Sequence, residues 1–102
     1  MSLDLTLLGT DGAPERYVPI SDRAHSELML LANECGANSL APFQDYYGDE
    51  EVVVEALPKL SQELQTLRSR AQSPELLRLL SELDGLVAYA LTTRRSLHVL
   101  GD

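Results

Sequence analysis

Two histidines, a single cysteine and a knot of acids around adjacent tyrosines are the residues of this 102-residue chain with the means to do chemistry. Nucleophilic catalysis needs a serine or cysteine within hydrogen-bond reach of a base. His25, Ser26 and Cys35 share one segment, but on a helix positions 25 and 26 do not face each other, and ten residues separate 25 from 35. There is no nucleophile elbow, phosphate-binding glycine loop, HExxH helix or paired-cysteine metal motif. No catalytic residue is assigned, and a non-enzymatic role is expected.

His25 falls one turn into an expected helix, where the positive end of the dipole disfavours further positive charge. The expected role is a boundary side chain that packs its ring and hydrogen-bonds a loop, with a neutral base or metal ligand as the alternative. His98 is read in the same way. The two histidines, with Asp102 or Glu27, would make a zinc site only if the fold brought them together, and no spacing requires it. No metal ligand and no cofactor is assigned.

The most distinctive stretch is Asp45-Tyr46-Tyr47-Gly48-Asp49-Glu50-Glu51. Its spacing fails the alternating pattern of a calcium loop. It does place amphipathic aromatic area beside concentrated negative charge, the composition of surfaces that engage Lys- and Arg-rich partners. Asp45, Tyr46, Tyr47, Asp49, Glu50 and Glu51 are therefore the candidate partner-binding residues. The competing reading has Phe43 and one tyrosine pinning the loop to the core while the acids are merely solvated.

Composition limits the partner. Sixteen acids against eight lysines and arginines give a formal charge of −8. Eleven of those acids and only two of the basic residues lie in residues 1–55, so that half carries −9 and the rest +1. Such a field repels nucleic-acid phosphates and anionic lipid heads and favours a basic protein surface. No apolar run approaches the roughly 20 residues that span a bilayer, and Met1-Ser2-Leu3-Asp4 lacks the basic flank and apolar block of a secretion signal, so a cytoplasmic location is expected. One cysteine makes neither a disulfide scaffold nor a thiolate zinc cluster. With 44% hydrophobic residues the chain should order as one domain over residues 1–102.

Several elements must position these residues. Leu3, Leu5 and Leu7 alternate with Asp4 and Thr6, a strand pattern, and Gly9 to Pro14 supply a turn into a second strand over about 15–20. Pro19 means that this strand ends there or lies at a sheet edge, outside the first strand. Ser21 should cap a helix over 22–35 ending at Gly36. Val52-Val53-Val54 is ambiguous between strand and helix start; the acids and Ala56-Leu57 around it favour a helix from about Val54 to Arg70, with Pro58 in its first turn. Ser73-Pro74-Glu75 opens a third helix running to about Thr93. Gly85 inside it reflects either a close helix contact, which is preferred, or a tolerated local defect. Lys59 with Glu63 and Arg78 with Glu82 have the spacing of exposed-face ion pairs. Leu97 to Leu100 alternate as a last strand pairing with the first. The expected fold is α+β in the order β-β-α-α-α-β, a small three-stranded, mainly antiparallel sheet covered on one face by three helices.

In its Leu-Asp-Leu opening strand, its Ser-capped helix carrying His25 and Leu28, its Asp45-Tyr46-Tyr47 turn and its Leu97 to Asp102 strand, the chain resembles a set of small uncharacterised bacterial α+β proteins. In size and acidity it is also similar to bacterial immunity proteins, which neutralise a cognate toxin by binding it. The resemblance implies the α+β layout and, by class alone, an immunity-like interaction domain; the charge distribution adds a basic protein partner and neither nucleic acid nor membrane. The alternatives are a small metal- or ligand-binding domain, catalytic or not, built on His25 and His98, and a homodimer closed by leucines left over on the helical hairpin, such as Leu77, Leu79 or Leu86.

Overall fold

Leucines at every second position bury one face of a strand, and Leu3, Leu5 and Leu7 do so in β1 (Leu3–Leu8), each fully inaccessible to solvent. The computed structural model describes residues 3–44 and 49–101. Gly12, at φ +83°, and the carboxylate of Asp11, which accepts from the Ala13 amide at 3.0 Å, fold the chain back into β2 (Pro14–Ile20). A register shift between Leu7 and Leu8 marks a bulge beside the turn.

Ser21 accepts from the Ala24 amide at 3.2 Å and opens α1 (Asp22–Cys35), which Gly36 ends in the left-handed conformation with the Ala37 amide on the Ala32 carbonyl. A 3₁₀ segment, Asn38–Phe43, buries Leu40 and Phe43. The chain then forms β3 (Glu50–Val52), a 3₁₀ turn at Val54–Ala56, α2 (Leu57–Arg70), α3 (Pro74–Thr93) and β4 (Leu97–Leu100). Ser73 caps α3 through the Leu76 amide, with Pro74 in its first turn.

The sheet is antiparallel in the order β2-β1-β4-β3. It therefore has four strands where the sequence predicts three. The additional strand comes from the ambiguous valines: Val52 pairs with Leu97 and is buried in the core, which its neighbours Glu50 and Glu51 are not. The expected helix start at Val54 is a single 3₁₀ turn, and α2 begins at Leu57 with Pro58 in its first turn. The placement of β2 outside β1 agrees with Pro19 at an open edge.

The leucines of β1 join Val18, Ile20, Val52, Leu97 and Val99 with Leu28, Leu60, Leu64, Leu80, Leu83 and Val87 from the helices in one core. Each fully buried leucine contributes about 1.5–3 kcal/mol against the entropy of ordering the chain. No helix among the described residues is long and apolar enough to cross a membrane.

Long-range polar contacts differ from the two ion pairs expected along the helices. Glu63 is spent on the 3₁₀ segment, accepting from both the Ser39 amide (2.9 Å) and the Ser39 hydroxyl. Among the described residues the ion pairs are Arg23–Glu27, Arg68–Asp84 and Arg95–Glu15. Arg68–Asp84, reinforced by the Ser61 hydroxyl on Asp84, joins α2 to α3. Gly85 does not mark a close helix contact: a Cβ there would meet no atom within 4 Å.

Candidate protein-interaction edge

β3 is one of the two edges of the sheet, and its composition follows from that position. Val52 faces the core, while Glu50 and Glu51 are exposed, pairing through the backbone with Val99 and His98 on β4. Asp49 closes the end of the ladder: its Oδ1 accepts from the Gly101 amide at 3.0 Å, just past β4. Beyond β3 come Val53, 46% exposed, and Glu55, exposed on the 3₁₀ turn that the Ala56 amide closes onto the Val53 carbonyl. Four acids thus flank one accessible valine along the chain, with Glu50 and Glu51 on opposite faces of the strand. None of them takes part in an ion pair among the described residues.

Such an edge carries carboxylates that take part in no ion pair among the described residues, a local charge that favours cations. A charged, very short edge strand is also a poor template for non-specific strand pairing. Of the candidate partner-binding residues, Asp49, Glu50 and Glu51 lie at this edge, and a further exposed acid, Glu55, follows on the 3₁₀ turn. Asp45, Tyr46 and Tyr47 lie outside the described residues.

The histidines go to opposite sides of the sheet. His98 alternates with the buried Leu97 and Val99 and so stands on the face away from the helices, level with Thr6 on β1 and Glu51 on β3; its buried Nδ1 has no hydrogen-bond partner among the described residues. His25 hangs from α1 on the helical side, where its Nε2–H donates to the Phe43 carbonyl at 2.5 Å. That contact ties α1 to the end of the 3₁₀ segment, the loop-holding role expected of it. Among the described residues no three His, Cys, Asp or Glu side chains are grouped to hold a metal ion.

Of the leucines considered for a hairpin dimer, Leu79 and Leu86 are buried and only Leu77, at 37%, is exposed. Arg16 and Tyr89 form a feature the sequence did not reveal. The guanidinium lies 3.9 Å from the ring centroid, and Glu15 beside it is bound by Arg95, which also donates to the Leu8 carbonyl. This cluster locks β2, α3 and the start of β4 together at the far side of the sheet from β3. Against this geometry, no protein-family model, curated protein or solved structure matches the chain.

Proposed function

We propose that this chain is a non-enzymatic interaction domain, immunity-like in its logic, whose acidic β3 edge docks onto a basic surface of another protein in the cytoplasm. The observation that carries the reading is the set Asp49, Glu50, Glu51 and Glu55, exposed together and outside every ion pair among the described residues. In this reading the acids steer the encounter, and Val53, with Tyr46 and Tyr47 beside the edge in sequence, supplies contact area once water is expelled.

Any protein of charge −8 attracts cations, so the test has to separate this edge from net charge. Two triple variants serve: Asp49→Lys/Glu50→Lys/Glu51→Lys, and a charge-matched control, Asp11→Lys/Glu34→Lys/Glu75→Lys, which reverses exposed acids elsewhere. Affinity for an immobilised Lys/Arg-rich polypeptide is measured across a salt series. The edge variant should lose at least about tenfold and flatten the salt dependence, while the control retains most of its affinity. Equal losses in both variants would reduce the edge to a share of the overall charge and end the proposal.

A further inference from the structure

The other edge of the sheet is open in a different way. Pro19 has no amide proton to give to β1, and it stands opposite Asp4 in the register. Because backbone groups alternate sides along the regular part of a strand, and Pro19 opposite Asp4 can give nothing to the ladder, the backbone groups of Tyr17, two residues before it, face away from β1. Tyr17 is 63% exposed. Beside this edge a groove of about 480 Å³ runs between β2 and α3, floored by Val18 and Leu86 and lined by Arg16, Tyr17, Glu82 and Gly85.

Gly85 is the unexplained residue in that groove. It sits in the middle of α3, exposed, at a helix-propensity cost that no contact in the chain requires, since nothing lies within 4 Å of where its Cβ would be. The groove also holds two charges that take part in no ion pair among the described residues. Glu82 is in none of the ion pairs among the described residues, and Arg16 is held over the Tyr89 ring without a carboxylate partner.

We infer that the occupant of this edge is a second copy of the chain, joined antiparallel through β2 about a two-fold axis that passes Tyr17 and Gly85. Tyr17 then exchanges both backbone hydrogen bonds with its own counterpart. The prolines limit the pairing to this short stretch. The same axis lays α3 against α3 at Gly85, where the absent side chain lets two helices over adjoining strands approach to the usual interaxial distance of about 8–10 Å. It also sets Glu82 of one copy level with Ala88 and Tyr89 of the other, where Arg16 waits, giving two symmetric ion pairs. The charge complementarity is thus between residues that take part in no ion pair among the described residues of one chain. The interface is isologous, and it leaves both β3 edges free at the outer ends of a continuous eight-stranded sheet. It stands or falls independently of the proposed function.

Sedimentation equilibrium of the full chain tests the inference with three variants. Wild type should dimerise at micromolar concentration. Gly85→Gln adds a Cβ that meets nothing within 4 Å in one copy and a longer side chain that collides across the axis, so it should be monomeric, with a melting temperature no lower than wild type at a concentration where wild type is monomeric too. Glu82→Arg should weaken association by about tenfold or more, and Arg16→Glu/Glu82→Arg should recover most of that loss. A wild-type chain that stays monomeric into the millimolar range overturns the inference. So does a Gly85→Gln chain that dimerises as tightly as wild type, or a double variant no tighter than Glu82→Arg.

Discussion

Gly85→Ala isolates one local effect cleanly. The residue lies in the interior of α3 (Pro74–Thr93), its φ is not positive, it is exposed, and an added Cβ has no neighbour within 4 Å. No packing gain or clash is available, so the change reduces to backbone entropy and helix propensity. Alanine in a helix interior is worth about 0.8–1.0 kcal/mol over glycine. For a domain of this size that raises the melting temperature by roughly 4–8 °C. The assay is paired thermal and urea unfolding by circular dichroism, at a protein concentration where sedimentation shows a monomer. The urea midpoint should rise with the slope unchanged, because the surface exposed on unfolding is the same. A neutral or destabilising result in the monomer would refute the reasoning, since it would require something in the chain to occupy the space over Gly85.

Three further substitutions probe how the fold holds its loops. His25→Ala removes the donor to the Phe43 carbonyl and should cost about 1–2 kcal/mol, with faster amide exchange over Asn38–Phe43 than over α2. Glu63→Ala leaves the Ser39 amide and hydroxyl without their acceptor and should destabilise the same segment by about 1–3 kcal/mol, read from urea midpoints. Ser73→Ala deletes the cap on the Leu76 amide and should cost about 1 kcal/mol, whereas Ser73→Asp should be nearly neutral in the same melts.

The strongly local elements were legible in the sequence. Leu3, Leu5 and Leu7 announce β1 by period alone, Ser21 and Gly36 bracket α1, and Ser73-Pro74 opens α3, because each signal is complete within a few residues. β3 was not legible for the opposite reason. It is three residues long, only Val52 is buried, and what makes it a strand is β4, whose residues lie more than forty positions further along the chain. The same holds for Glu63, whose spacing from Lys59 suggests a helix-surface pair but which is drawn across to Ser39. At the candidate site, the acidity of residues 49–51 was readable as composition. That they occupy a sheet edge with Glu55 and Val53 was not, because it depends on the strand order. The hairpin leucines show the limit of periodicity: Leu79 and Leu86 sit off the main stripe yet are buried, since α3 packs against both α2 and the sheet.

Chemical-shift mapping tests the central claim most directly. ¹⁵N-labelled chain is titrated with a short Lys/Arg-rich peptide at physiological salt and the amide displacements are followed residue by residue. Shifts concentrated on Asp49 to Glu55 and on the facing residues of β4, and abolished in the Asp49→Lys/Glu50→Lys/Glu51→Lys chain, are the expected result. Displacements spread evenly over Asp11, Glu34 and Glu75 as well, or none at the β3 edge, would contradict it.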